Sequence, residues 1–214
     1  MEQPTALTKP LLRGWLHLGG LIVLLACSPI LLVLAENGAD IAWSLCFVGG
    51  VATMMLTSAL FHRINWQPRA RRAWRRADHS AIFAAIAGSY FGLAGITMHG
   101  GARTLLLVIV ATGTVVGVTI RQLSLDTPKW VATLPYLVVG WAAVAFIPQM
   151  YRGGGLACLL FVLGGGLAYT VGAIFYGTKR PKLWPKVFGY HELFHAFTLV
   201  GASLHFTAIA LALR

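Results

Sequence analysis

The stretch GWLHLGGLIVLLACSPILLVLA, residues 14–35, indicates the class of fold. It has 22 positions and contains no Lys, Arg, Asp or Glu. A helix rises 1.5 Å per residue, so a helix of this length is about 33 Å long and crosses the roughly 30 Å hydrocarbon core of a bilayer. The stretch therefore predicts a first membrane-spanning helix.

The rest of the chain repeats this pattern. Six further runs without charged residues follow, at 41–62, 79–102, 104–120, 130–151, 153–178 and 193–213. The 214 residues are 57% hydrophobic and 11% charged, whereas a soluble domain carries about a quarter charged residues. The sequence thus predicts an all-α polytopic membrane protein, a bundle of seven transmembrane helices.

The basic residues predict the orientation of the bundle. Of 17 Lys and Arg residues, only Arg103, Arg152 and Arg214 fall on one side of the predicted bundle. Cytoplasmic loops carry the excess of basic residues, so we expect the N-terminus in the cytoplasm and the C-terminus outside. This bias also explains the net charge of +11, and we therefore expect membrane lipids, and no nucleic acid, as partners.

We expect one domain. Residues 1–13 are predicted to be a short cytoplasmic tail and residues 14–214 a single seven-helix transmembrane domain in the cell (inner) membrane. Two longer cytoplasmic loops are predicted, at 63–78 and 179–190. The arginine-rich part of the first loop is interpreted as an orientation signal that touches anionic lipid. In the sixth run, the spacing of Gly164, Ala168 and Gly172 predicts close helix packing.

Two histidines near the C-terminus are the strongest chemical signal. His191 and His195 are four residues apart, so on a helix they share one face, one turn apart. This spacing suits two imidazole ligands of one Zn²⁺ ion. A metal site needs at least one more protein ligand, which has to come from another helix.

The predicted topology supplies that ligand. His62 ends the second run, while Asp78 stands just before the third, at the same predicted side as His191 and His195. Ser58 lies one turn deeper than His62, on its face. The sequence thus predicts a Zn²⁺ site at the cytoplasmic membrane boundary, with His79 as an alternative to His62.

The same segment also has the His-Glu-x-x-His spacing of zinc proteases, in which the Glu is the general base. The third ligand of such a protease lies downstream, and only His205 follows. Ten residues along a helix are about 15 Å, too far to share one ion. The pattern thus disfavours a protease, and Glu192 is left to bind a basic residue or to assist the metal site. His205 is assigned to a buried partner or a cavity wall, and His17 to structural contacts between helices.

Five segments together resemble a known family. They are KPLLRGWLH (9–17), TSALFHRI (57–64), RRADHSAIF (75–83), GGGLAYTVGAIFYGTKRP (164–181) and FGYHELFHAFTLVGASLHF (188–206). With them, nearly the whole chain resembles bacterial hemolysin III-type proteins of the progestin and adipoQ receptor family. The family pattern is Ser-x-x-x-His ending helix two, Asp opening helix three and His-x-x-x-His opening helix seven.

The resemblance implies roles for five residues. His62, His191 and His195 would bind zinc, Asp78 would hold the zinc-bound water, and Ser58 would lie beside that water. Adiponectin receptors of this family are associated with ceramidase activity, and bacterial members with membrane homeostasis. This sequence lacks the long N-terminal cytoplasmic region of the receptors, so hormone reception is not carried over.

Two functions follow as hypotheses. The first is a zinc-dependent hydrolase of amide- or ester-linked lipids, with Asp78 accepting the proton of the water and Ser58 stabilising an oxyanion. The second is a non-enzymatic regulator or sensor of membrane fluidity or energetics with a structural zinc site. An ion or proton pathway through His205, His195 and Asp78 is a weaker third, since few acidic residues continue it.

Overall fold

The computed structural model describes residues 10–123, 128–184 and 186–214, with the side chain of Lys129 left out. Residues 1–9 of the predicted tail at 1–13, Lys9 among them, lie outside these ranges. The described part contains seven α-helices and one 3₁₀ helix. They are α1 (Trp15–Leu34), α2 (Gly38–Arg63), α3 (Pro68–Thr97), α4 (Gly100–Leu123), α5 (Lys129–Gly140), the 3₁₀ helix Ala142–Phe146, α6 (Ile147–Thr178) and α7 (Tyr190–Ala212). The predicted all-α fold is confirmed.

The outer surface of the bundle is apolar. In α1, only His17, Leu24 and Leu31 are buried, at intervals of seven residues, while side chains such as Val23 and Val33 are exposed. A helix with one narrow buried stripe and an otherwise apolar exposed surface suits lipid rather than water. Six helical stretches among the described residues are long and apolar enough to cross a membrane. The protein is a membrane helix bundle.

One of these six stretches folds back on itself. Trp130–Thr178 has 49 residues, which as a straight helix would be about 73 Å long, more than twice the hydrocarbon core. The Trp141 indole donates a hydrogen bond to the Thr170 hydroxyl (3.0 Å). Gly155 has a left-handed φ of 74°, midway between these partners. The stretch is therefore an antiparallel hairpin, in agreement with the two predicted runs that meet near residue 152.

The two ends of the described chain lie at opposite ends of the bundle. Arg13 pairs with Glu192 in the first turn of α7, and α7 then runs 23 residues, about 35 Å, towards Leu213. An odd number of passes places chain ends in this way, as seven passes would. The number of membrane crossings and the side on which each end lies stay predictions.

The prediction of a long loop at 63–78 is wrong, because α3 begins at Pro68. Pro is favoured at the first position of a helix, and Arg and Ala are good helix formers. The helix therefore continues about ten residues beyond the apolar run, into the polar boundary. The second predicted loop is confirmed, since no helix lies between Thr178 and Tyr190 among the described residues.

Glycines bring α2 and α3 into backbone contact. A Cβ on Gly50 would lie 2.4 Å from the Ala84 carbonyl oxygen, and a Cβ on Gly88 would lie 2.6 Å from the Cys46 carbonyl oxygen. Only residues without a side chain permit this approach. It fixes the end of α2 beside α3, and so fixes His62 beside the start of the buried part of α3.

Glycines and rings interlock α6 and α7. A Cβ on Gly165 would lie 2.3 Å from the His205 ring, and a Cβ on Gly201 would lie 2.8 Å from the Tyr169 ring. Each helix thus offers a glycine to a ring of its neighbour. Of the predicted stripe, Ala168 and Gly172 are buried, and Gly165 takes the place of Gly164. Gly164 meets only a leucine side chain at 3.6 Å.

Candidate metal centre

Three histidines meet where α2 ends and α7 begins. His62 is the penultimate residue of α2, and His191 and His195 lie in the first two turns of α7. Possible ligand atoms of the three residues all lie within 4.8 Å of one another. The cluster can hold a metal ion, as the sequence predicted for these residues.

Two of the imidazoles have nitrogens at the spacing of metal ligands. His62 Nε2 and His191 Nε2 are 3.2 Å apart. Two nitrogens bound at about 2.0–2.1 Å to a tetrahedral zinc ion are about 3.3 Å apart. The His191 and His195 rings have centroids 4.5 Å apart, so the third ring faces the same space. Neutral imidazole nitrogens are ligands that zinc prefers.

A carboxylate and a hydroxyl flank the cluster. Asp78 Oδ2 lies 3.9 Å from His62 Nε2, beyond direct hydrogen-bond distance and within reach of a bridging water. The Ser58 hydroxyl donates a hydrogen bond to Asp78, and Ser58 is buried. The structure therefore brings together all five residues that the sequence singled out.

His79 is not part of the cluster. Its Nδ1 lies 2.7 Å from the Arg75 carbonyl oxygen, one turn earlier in α3, and 3.9 Å from Asp78 Oδ2. Because a carbonyl only accepts, Nδ1 carries the proton and donates. Of the two alternatives left open by the sequence, the described cluster contains His62.

Glu192 points away from the three imidazoles and is engaged elsewhere. Its Oε1 accepts a hydrogen bond from Arg13 Nε, and its Oε2 accepts from the Gly189 backbone N–H at 2.9 Å. The second contact caps the start of α7. Glu192 is fully buried. Its carboxylate therefore fixes α7 instead of facing the cluster as a protease base would.

The segment before α1 packs directly against the ligands. Gly14 has a left-handed φ of 82°, and a Cβ there would lie 2.9 Å from the Cβ of His62. The His17 ring stacks on the His195 ring, with centroids 3.9 Å apart and planes 9° apart. Leu11 also donates its backbone N–H to the Lys186 carbonyl at 3.0 Å. Residues 11–17 thus cover the centre from the end of the bundle at which α1 and α7 begin.

A cavity borders the other side of the centre. Its volume is about 130 Å³, and its wall includes Ser58, Asp78, His191 and His195. It extends along α7 as far as His205, about 15 Å from His195. Most of the wall between these ends is apolar or aromatic, with Met54, Ile82, Ala85, Ile86, Leu137, Ala173 and Phe194 among its residues.

His205 lies at the far end of this cavity, as one of the sequence alternatives expected. Its Nε2 lies 3.2 Å from the Val162 carbonyl oxygen, and its ring meets the Tyr169 ring edge-on at 5.5 Å. It is too distant to join the other three histidines. His17 also lines the cavity, and its two ring nitrogens have no hydrogen-bond partner in the described part of the chain.

Sequence reasoning missed Tyr176 and the role of Arg13. The Tyr176 ring packs edge-on against His191, with centroids 5.4 Å apart. The position of Tyr176 near the end of the sixth run could have indicated this contact. Tyr176 precedes the end of α6 by two residues and so lies at the level of the centre. Arg13 was treated only as a charge that sets orientation.

The chain is similar to known membrane proteins over most of its length. The family model described as "Haemolysin-III related" matches residues 5–206. "Hemolysin-3" of Bacillus cereus is 29% identical over 197 residues, which are 90% of this chain and 85% of that protein. "Hemolysin-3 homolog" of Bacillus subtilis is also 29% identical, over 89% of this chain and 87% of its own. "Heptahelical transmembrane protein ADIPOR2" of rice is 28% identical over 78% of this chain and 80% of its own.

Proposed function

Since this chain belongs to the haemolysin-III-related family, we propose that it is a zinc protein of the cell (inner) membrane that hydrolyses amide- or ester-linked lipids and so serves membrane homeostasis. One observation carries the proposal. His191 and His195 belong both to the three-histidine cluster and to the wall of a largely apolar cavity. A metal held by three protein ligands beside such a space has room for a water and a substrate, as catalytic zinc sites have.

His62, His191 and His195 would hold the zinc ion. Their chemistry suits it, because three neutral nitrogens leave one coordination position for a non-protein group, and the Asp78 carboxylate is close by. When bound, zinc supplies Lewis acidity that activates water and polarises a carbonyl at neutral pH. The stack of His17 on His195 and the packing of Gly14 on His62 hold two of the rings in place.

Asp78 is the proposed general base. Its Oδ2 is placed 3.9 Å from the His62 ligand nitrogen, so a water between the carboxylate and the metal position lies within reach of both. Asp78 accepts a proton from the attacking water at this oxygen and returns it to the leaving amine or alcohol.

Ser58 interacts first with the general base and then with the substrate. Its hydroxyl donates to the Asp78 carboxylate and so orients it before the reaction. Once Asp78 has taken up a proton, it attracts the hydroxyl less. Ser58 is then able to donate to the oxyanion that develops on the substrate carbonyl.

The substrate class follows from the cavity. A wall with many apolar and aromatic groups, such as Ile86 and Phe194, favours an acyl chain over a peptide. Its polar end, at Asp78 and His191, lies at the predicted cytoplasmic boundary. A lipid would therefore place its amide or ester at the centre and its chain along α7, towards His205.

The experiment is a hydrolysis assay on purified, zinc-loaded protein. A ceramide and an acyl ester lipid are supplied in mixed micelles, and fatty acid release is measured. We expect Asp78→Asn to keep its zinc and to lose about 100-fold or more in turnover, the share typical of general base catalysis. His191→Ala should lose both zinc and turnover. The matched control is His99→Ala, an exposed histidine, which should behave as the wild type. Equal turnover in wild type and His191→Ala would end the hydrolase proposal.

The second candidate is a non-enzymatic membrane regulator with a structural zinc ion. The packing of residues 11–17 on the ligands favours it, because an ion there would tie α1 and α2 to α7. In that case zinc removal by a chelator lowers the midpoint of thermal unfolding, while neither the wild type nor any variant releases fatty acid.

A further inference from the structure

The first two turns of α3 carry a cluster of arginines that the proposed chemistry does not use. The segment Pro68–Arg76 contains five arginines, at 69, 71, 72, 75 and 76. It belongs to the part of α3 that continues beyond the apolar run. Because the segment is helical, its arginines point in different directions around the helix axis, and they can have different partners.

The helix separates these arginines into two sets. At 100° per residue, Arg71 and Arg75 lie within about 60° of the direction of Asp78, towards the centre. Arg71 packs over the Phe61 ring at 5.4 Å, and the Arg75 carbonyl binds His79. The other three form a separate row, about 120° further round the helix.

This row consists of Arg69, Arg72 and Arg76, and we call it the arginine row. All three side chains are exposed, and their i, i+3, i+7 spacing aligns them on one face. None of them makes a hydrogen bond, ion pair or ring contact with the part of the chain that the structure describes. Among the described residues, these three cations thus stand side by side without a counter-charge.

None of the acidic groups in the described part of the chain pairs with the row. No Asp or Glu occurs between Asp40 and Asp78. Asp78 faces the centre and accepts from Ser58, while Glu192 is buried and paired with Arg13. Glu2 and Asp126 lie outside the described residues. Among the described residues the row has no acidic partner, which leaves room for a partner from outside the chain.

The level of the row in the membrane identifies that partner. Arg76 and Arg69 precede Asp78 by two and nine residues, about 3 and 14 Å along the helix. The polar headgroup layer is about 5–8 Å thick on each side of the hydrocarbon. Stacked Trp66 and Trp74 rings, 4.7 Å apart, mark the same level, since tryptophan collects at membrane interfaces. The row thus crosses the headgroup layer, facing away from the bundle.

We propose that the arginine row binds the phosphate groups of anionic phospholipids in the cytoplasmic leaflet. A guanidinium forms two parallel hydrogen bonds to a phosphate, and its planar fork suits this partner better than an ammonium does. Each basic residue at a charged membrane surface adds attraction. This proposal does not depend on zinc or on hydrolysis.

The test uses the full-length protein in neutral detergent, titrated with phosphatidylglycerol or with phosphatidylcholine, with bound lipid counted by native mass spectrometry. The wild type should prefer phosphatidylglycerol. The variant R69Q/R72Q/R76Q should lose on the order of tenfold in affinity for this lipid and keep its affinity for phosphatidylcholine. The single variant R72Q, with an intermediate loss, covers the case in which the triple variant does not fold.

A matched control removes the same charge from the segment between α6 and α7, at the same predicted side of the membrane. R180Q/K182Q/K186Q changes three exposed basic residues and should stay within about twofold of the wild type. An equal loss in this control would overturn the proposal, because net charge alone would then explain the preference. Displacement of the lipid by millimolar inorganic phosphate would also overturn it, since the row would then be a general anion site.

Discussion

Glu192 has a different task from the one that its sequence pattern suggests. In the His-Glu-x-x-His pattern of zinc proteases, the Glu activates water. Here its two carboxylate oxygens accept from Arg13 and from the Gly189 backbone. The position on the helix does not explain the difference, because the Glu follows the first His directly in both. The difference lies in the partners of the carboxylate. Two histidines four apart therefore predict a metal site without assigning the residue between them to it.

Substitution of Glu192 tests this structural role. Glu192→Gln removes the charge that pairs with Arg13 inside the protein, so we expect the free energy of unfolding to fall by about 1–3 kcal/mol. Zinc binding should be kept. Denaturation in mixed micelles and metal analysis measure the two effects. Glu36→Gln is the control, because Glu36 is exposed and its replacement should be neutral. Loss of zinc with unchanged stability would contradict the assignment.

Metal stoichiometry tests the ligand set one residue at a time. Loss of an outer partner of a ligand costs about 10- to 100-fold in metal affinity, so loss of a ligand should cost more. We expect His62→Ala and His195→Ala to bind zinc more than 100-fold more weakly than the wild type, as measured by competition with a chelator of known affinity. His79→Ala should remain within tenfold, because His79 lies outside the cluster. The reverse result would restore His79 as the ligand.

At the scale of elements, the contact of α6 with the His205 ring of α7 depends on Gly165 and not on the glycines next to it. Gly165, Gly166 and Gly164 are adjacent in sequence, yet only Gly165 faces the His205 ring at close range. The spacing of small residues predicts that a helix packs closely. It does not fix the rotation of that helix, which depends on the rings that the neighbouring helix presents.

Two alanine variants test whether Gly165, and not the glycine next to it, makes the close contact. In Gly165→Ala the new methyl group would lie 2.3 Å from the His205 ring, so we expect a loss of about 1–3 kcal/mol from overpacking. In Gly166→Ala nothing lies within 4 Å of the new Cβ. This variant should be neutral or slightly more stable, because alanine favours a helix. Thermal unfolding of the two variants in one detergent gives the comparison, and equal midpoints would show that the contact does not hold the helices.

The bounds of α3 show what a hydropathy pattern predicts and what it leaves out. The charge-free run starting at His79 indicates where the hydrocarbon begins. The helix itself starts eleven residues earlier, at Pro68, because arginine and alanine sustain a helix in water as well as in lipid. The break at Gly155 could be predicted from the sequence, because it lies close to the boundary between two charge-free runs. The 3₁₀ segment Ala142–Phe146 left no such signal.

At the scale of the molecule, convergence of the centre could be predicted because two independent constraints agree. Helical periodicity places His191 and His195 on one face, and the charge bias places His62 at the same end of the bundle. The stack of His17 on His195 and the ion pair of Arg13 could not be predicted, because they depend on which helices are neighbours. Sequence order alone does not give that arrangement.

Sidedness is the main prediction for the whole molecule. Fourteen of 17 basic residues on one predicted side should orient the chain with that side in the cytoplasm. A fluorescent protein fused after Arg214 should stay dark, and an alkaline phosphatase fused there should be active. Fusions after Gln67 should give the opposite result. A bright fluorescent fusion at Arg214 would contradict the predicted orientation.

His62 and His191, whose Nε2 atoms lie 3.2 Å apart, are separated by 129 positions in the chain. During synthesis the first emerges early and the second only near the end of translation. A nascent polypeptide that stops before α7 has one of the three ligands, and Arg13 has no Glu192 to hold it. We therefore expect metal loading to report on completion of the chain, and a prematurely terminated product to remain metal-free and open at the end of the bundle where α1 begins.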